Sequence, residues 1–243
     1  MTTRKIAFWG DSITEGVPGC SYIDRLALDP EAYRLENFGK AGDTVISLYH
    51  RLKAQELDAD YDLIFLFVGV NDVFVKLSWS YGLMKMASKQ PWARSEHAFA
   101  ATYRKTLDLL VGKSRHVIAV SPLCLGEDLN SKWNSQLSQQ REHISALTAQ
   151  FGNVEYLNLY EDAFKPLLLA HQSEEQDVPN YLPTSATRVA LDALLLRTTG
   201  RVDGTSEKRE LFLTLDGVHL NDRGATVVAQ AFRKRIEAVS RRA

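Results

Sequence analysis

Cysteine is almost absent from this chain. Cys20 and Cys124 lie far apart and form no CxxC pair, so neither a disulfide framework nor a thiolate metal cluster is indicated. Charge of one sign is missing too: 29 Lys and Arg balance 30 Asp and Glu, for a formal net charge of -1. That leaves no footprint for nucleic acid or for an anionic membrane surface. Arg241 and Arg242 suit the negative end of a terminal helix dipole better than a nucleic-acid tail. Long apolar runs are also lacking. Leu63 to Val68 falls well short of a membrane span, and Ile6 to Trp9 is too short for the core of a signal peptide. The expectation is a soluble, cytoplasmic protein with no stable membrane anchor. His50, His97, His116, His143 and His171 share no metal-ligand spacing, so no metal is expected.

What is present is an ordinary globular composition, 45% hydrophobic and 24% charged over 243 residues. Short apolar runs alternate with longer amphipathic stretches. Lys5–Trp9, Arg34–Phe38, Leu63–Gly69, His116–Ser121 and Glu155–Leu159 read as strands. The third is apolar on both faces, as in a parallel sheet covered by helices. Phe99, Tyr103, Leu107, Leu110 and Val111 make one helical stripe, and Leu137, Ile144, Leu147 and Phe151 another. Asn221 is placed to cap a last helix whose buried face is Val227, Val228, Ala231, Phe232, Ile236 and Val239. This alternation predicts an α/β fold with a mostly parallel, five-stranded sheet, whose strand carboxyl ends gather the ligand site.

Four short motifs fall at such ends. Gly10-Asp11-Ser12-Ile13-Thr14 follows the first strand, Gly39-Lys40-Ala41-Gly42-Asp43-Thr44 the second and Gly69-Val70-Asn71-Asp72 the third. Asp216-Gly217-Val218-His219-Leu220 precedes the last helix. A serine hydroxyl is a weak nucleophile without a base in contact, and the base needs a partner to hold its tautomer. Ser12, His219 and Asp216 can fill those roles in that order. A tetrahedral intermediate also needs donors aimed at its oxyanion. The candidates are the Ser12 N–H, the Gly42 N–H and the Asn71 side-chain amide. Each motif alone is an ordinary turn; the four in sequence are not. Asp11, Asp43 and Asp72 read as loop-fixing side chains and Cys124 as a small buried filler.

In these blocks the chain resembles the SGNH hydrolases, also called the GDSL esterase/lipase family, whose Ser, Gly, Asn and His lie in four separated blocks in this order. Ile13 stands where the family name has leucine. The resemblance implies a flavodoxin-like, three-layer α/β/α fold without cofactor. It also implies a serine esterase acting on a small-molecule carboxylic ester or thioester, with Ser12, Asp216 and His219 catalytic and Ser12, Gly42 and Asn71 forming the oxyanion hole. The absence of a G-x-S-x-G elbow argues against the larger α/β-hydrolase fold. An acyltransferase or a carbohydrate O-deacetylase would use the same residues. A non-catalytic binding protein would have no need of all five.

The expected organisation is one hydrolase domain over residues 1–243 with a lid or pocket insertion at about 73–98 and an irregular insertion at about 172–206. The second includes an apolar helix around Val189 to Leu196. The first leaves directly from Asn71 and reads as a long loop. Its Trp79, Tyr81, Met84, Met86 and Trp92 supply apolar area to close over an acyl chain or stack on a sugar ring, with Trp79 and Trp92 as the candidate pocket residues. The alternative is that the aromatic and methionine residues of this segment pack an extra helix onto the core.

Overall fold

The fold is described from a computed structural model over residues 3–55, 60–77, 79–174, 181–182 and 202–242. Strands β1 (Arg4–Gly10), β2 (Tyr33–Gly39), β3 (Leu63–Phe67), β4 (Val117–Val120) and β5 (Val154–Leu157) form one sheet in the order β2-β1-β3-β4-β5. Every neighbouring pair is parallel. Helices α1 (Ser12–Glu15) and α2 (Val45–Ala54) follow the first two strands. Next come α3 (Val70–Phe74), α4 (Trp79–Ala87), α5 (Glu96–Val111) and α6 (Lys132–Thr148). A π-helical turn, Tyr160–Phe164, leads into α7 (Lys165–Glu174), and α8 (Val202–Lys208) and α9 (Asp222–Arg242) complete the described elements.

The twofold period of the strands sorts the core into two layers. Ile6, Phe8, Phe65 and Ile118 face one side, where α9 packs. Phe232 of α9 stacks on Phe65 with ring centroids 4.3 Å apart, and Phe8 stacks on Phe65 at 5.2 Å. Ala7, Trp9, Ile64 and Leu66 face the other side, against Leu48 of α2, Phe99 and Tyr103 of α5 and Ile144 of α6. A sheet buried on both faces explains why all five residues of β3 are apolar. This is the three-layer α/β/α architecture expected from the sequence.

From β1 the chain steps outward to β2, then returns past β1 to β3. The strand order therefore reverses between β1 and β3, and the loops leaving these strands open a crevice at their carboxyl ends. Strand β3 stops at Phe67, two residues earlier than expected, because Gly69 and Val70 already turn the chain into α3. The last helix is capped as predicted: the Asn221 Oδ1 accepts the Gly224 N–H at 2.9 Å.

The segment at 73–98 differs from the long loop expected. It carries the end of α3 and the whole of α4, and α5 begins at Glu96. Yet the apolar residues of α4 do not turn inward: Trp79 is 82% exposed, and Leu83, Met84 and Met86 are exposed as well. The helix buries Tyr81 and Lys85, one turn apart, in their place. In the second insertion α7 ends at Glu174 and α8 spans Val202–Lys208; the apolar helix expected at Val189 to Leu196 lies outside the described residues.

Candidate active site

Ser12 stands at the N-terminus of α1, two residues beyond the last residue of β1. Asp11 fixes this turn by accepting the Ile13 N–H at 3.0 Å. The Ser12 Oγ lies 2.9 Å from the His219 Nε2, and the His219 Nδ1 lies 2.8 Å from the Asp216 Oδ2. Three residues that the sequence places at opposite ends of the chain thus form one hydrogen-bonded line, with Ser12 and Asp216 both buried.

The His219 turn is built locally. The Asp216 Oδ1 accepts the N–H groups of Val218 at 3.0 Å and His219 at 2.8 Å, so the same carboxylate orients the ring and folds the backbone carrying it. Gly217 makes this possible. Its φ is +83°, and a Cβ there would stand 2.7 Å from the Tyr181 carbonyl oxygen. The turn is held from behind by Glu127, a fully buried carboxylate that the sequence reading did not single out. It accepts the N–H groups of Phe212, Leu213 and Thr214 at 2.7, 2.9 and 2.8 Å, and the Thr214 hydroxyl at 2.8 Å. An isolated glutamate carries no signal of this role, because its partners lie far along the chain.

The other wall comes from the loops after β2 and β3. Asn71, buried on α3, donates from its Nδ2 to the Asp43 carbonyl at 3.0 Å. Asp43 itself accepts from the Ser47 hydroxyl and pairs with Arg51 at 2.7 Å. Asp72 accepts the Val45 and Ala93 N–H groups at 2.8 and 2.9 Å. The three flanking aspartates therefore fix loops, as their positions suggested. Among the described residues, no backbone partner takes up the Ser12 or Gly42 N–H. Gly42 has φ +77°, a left-handed conformation that favours glycine.

A cavity of about 230 Å³ opens between the two walls, beside Ser12, Asn71 and His219. Pro18, Phe74, Tyr81, Met84, Lys85 and Val218 line it. Trp79 and Trp92 do not. Trp79 projects into solvent, while Trp92 is half-buried with the Arg94 guanidinium 4.8 Å over its ring. The same insertion supplies the cavity wall, but through Tyr81, Met84 and Lys85. No group of three or more His, Cys, Asp or Glu placed to hold a metal ion occurs among the described residues. None of the described helices is long and apolar enough to cross a membrane.

The electrostatics separate the carboxylates. Burial opposes charge on Asp216, but the adjacent His219 and three hydrogen bonds outweigh it and hold its carboxyl below the usual range. For His219, burial alone would disfavour the imidazolium. The Asp216 charge and hydrogen bond, helped by Asp11 and Glu15, overcome this and raise its pKa. Asp11 is pushed up to about 7, chiefly by burial, against the opposing Ile13 N–H and His219. Burial likewise raises Asp72 to about 6.

Residues 8–227 match the GDSL-like Lipase/Acylhydrolase family. A search of curated proteins gives no match. Among solved structures, a catalytic mutant of Axe2, an acetylxylan esterase from Geobacillus stearothermophilus, has a TM-score of 0.66 at 20% identity, over 97% of this chain and 95% of that one. The acetyl xylan esterase AlAXEase has a TM-score of 0.64 at 23% identity, over 96% and 99% of the two chains. LAE5, an α/β hydrolase from the metagenome of Lake Arreo, Spain, has a TM-score of 0.63 at 17% identity, over 98% of each. At these identities the likeness is one of fold.

Proposed function

The chain belongs to the GDSL-like lipase/acylhydrolase family and is a carboxylic ester hydrolase; from that premise we propose that Ser12 is its nucleophile and that its substrates are short acyl esters, acetyl above all, of carbohydrate hydroxyls. The observation that carries the first part is the line from Ser12 Oγ to His219 Nε2 at 2.9 Å and from His219 Nδ1 to Asp216 Oδ2 at 2.8 Å. With Nδ1–H donated to Asp216, Nε2 is left to accept the serine proton.

The Ser12 Oγ attacks the ester carbonyl as its proton moves to His219 Nε2. Negative charge gathers on the former carbonyl oxygen, where the N–H groups of Ser12 and Gly42 and the Asn71 amide receive it. The imidazolium, stabilised by Asp216, returns the proton to the departing alcohol as the C–O bond breaks. Water then attacks the acyl-enzyme by the same route, giving its proton to His219, and Ser12 is restored when the acid leaves. No cofactor enters either half of this cycle.

The substrate class rests on two supports. The cavity, at about 230 Å³, is smaller than a typical drug-sized ligand site and suits a short acyl group better than a fatty chain. The family relatives of known structure with the same fold include acetylxylan esterases. Cys20 and Cys124 are free thiols, which fits a reducing compartment, and the cytoplasm is the proposed location. The test is a hydrolysis screen over acetyl, butyryl, octanoyl and palmitoyl esters and acetylated xylo-oligosaccharides. Release of acetate as the fastest reaction, abolished in Ser12→Ala, is expected. Preference for palmitoyl esters would overturn the substrate reading, and Ser12-independent turnover would overturn the mechanism.

A further inference from the structure

Helix α4 breaks the rule that an amphipathic helix buries its apolar face. Its inward residues are Tyr81 and Lys85, the latter 2% exposed, while Trp79, Leu83 and Met86 face outward. Such local violations concentrate at functional sites. The ammonium donates to the Gly42 carbonyl oxygen, and to the Gln90 Oε1 at 2.6 Å. Gln90 closes the triangle by donating from its Nε2 to the same Gly42 oxygen at 2.8 Å. A Cβ at Gly42 would lie 2.8 Å from the Lys85 Nζ, and the φ of +77° there favours glycine. Lys85 also lines the cavity next to Ser12, and no carboxylate pairs with it among the described residues.

We propose that Lys85 and Gln90 are positioning residues of the oxyanion hole, clamping the Gly42 carbonyl so that the Gly42 N–H stays aimed at the reacting carbonyl carbon's oxygen. The inference rests on the reading of Ser12 and Gly42 given above. It makes α4 a fixed part of the catalytic apparatus and not a lid. The loop is then held from two sides: Asn71 grips the Asp43 carbonyl from α3, and Lys85 and Gln90 grip the preceding carbonyl from the cavity side. Preorganised donors are worth most when they need not move as charge develops.

The clamp carries its own pH signature. Facing Lys85 are Asp43 from the loop after β2, Asp72 from α3, Asp11 from the turn after β1 and, on α4 itself, the Tyr81 ring at 5.4 Å. Burial pulls the ammonium down to about 8, and the three aspartates resist this. Below that pH the bond to Gly42 is charge-assisted; above it a neutral amine donates a weaker one.

The experiment follows covalent labelling of Ser12 by a fluorophosphonate probe, and kcat and KM for p-nitrophenyl acetate, from pH 6 to 10. In the wild type both rates should fall above about pH 8. Lys85→Met should lower kcat and the labelling rate by roughly 10- to 100-fold, the range for loss of one charged hydrogen bond, with KM little changed and the alkaline decline gone. Gln90→Glu, which sets a carboxylate beside the ammonium, should move the decline to higher pH. Wild-type labelling by folded Lys85→Met, or an alkaline limb that does not move in Gln90→Glu, would overturn the clamp while leaving the hydrolase reading standing. If Lys85→Met does not fold, the Gln90→Glu limb alone decides. Failure of the wild type to label at Ser12 would overturn the hydrolase reading, and the clamp with it.

Discussion

The two walls of the cavity are built by different means. The turns of the Ser12 and His219 wall bond first within themselves, with Glu127 adding support from far along the chain behind the His219 turn: Asp11 binds the Ile13 N–H, and Asp216 binds the N–H groups two and three residues on. The wall of Gly42 and Asn71 is held by partners from elsewhere, with Asp72 reaching Val45 and Ala93, and Lys85 and Gln90 reaching Gly42. Self-fixing turns leave short motifs in the sequence. Long-range supports leave single residues with no local pattern, and they determine how rigidly the oxyanion donors are held.

Removing the chemistry itself should have the largest effect. Ser12→Ala and His219→Ala are each expected to lower kcat by about four orders of magnitude or more, and the double mutant should be little worse than either, because triad losses are not additive. Circular dichroism and thermal melting should show the fold intact. On the opposite wall, Asn71→Ala should lower kcat by roughly 10²–10³, the usual loss for one oxyanion donor. A change in KM alone would make Asn71 a binding residue and dissolve the comparison between the walls.

A smaller effect separates support from chemistry. Glu127→Gln keeps the shape but turns an amide N–H₂ toward backbone N–H donors behind the His219 turn. It should destabilise the protein by about 1–3 kcal/mol, the range for leaving buried polar groups unpaired. It should lower kcat less than Asn71→Ala does. Denaturant titration and steady-state kinetics check both. Unchanged stability would mean that the turn holds itself through Asp216 without help from behind.

These supports also mark where the sequence stopped being legible. The strands, both core faces and the four chemical motifs were readable because each is written in local periodicity or in a short turn. Trp79 and Trp92 were natural choices for the pocket because large aromatic rings supply apolar area. Their sequence position could not reveal that α4 presents Tyr81 and Lys85 inward, since that rotation is set by the Gly42 carbonyl and Gln90. Met84, exposed yet lining the cavity, is the residue of α4 through which substrate preference should change. Met84→Ala should raise the butyryl-to-acetyl rate ratio several-fold, within the range for one or two methylenes. Trp79→Ala should leave both that ratio and the melting temperature close to wild type.

The smallest expected effect concerns protons, and it probes the self-fixed wall alone. His219 must be neutral to accept the serine proton, so kcat/KM should rise with pH. Because its pKa is raised, the midpoint should lie above the ordinary 6.5. Asp216 supplies most of that rise, and Asp11 a further part. Burial pushes Asp11 itself up to about 7, so the charge it adds beside His219 develops within the pH range of the profile. Asp11→Asn keeps an oxygen for the Ile13 N–H while removing the charge. It should shift the limb to lower pH, with the plateau rate little changed. The stability sign is also defined. Folded Asp11 holds its proton up to about 7 while the unfolded chain releases it near 3.8, so between those values the folded state binds more protons and loses stability as pH rises. Asp11→Asn should flatten that decline, and thermal melts from pH 4 to 8 would show it. A pH limb identical in position to that of the wild type would mean that Asp11 acts only as a turn-former and that Asp216 alone sets the base.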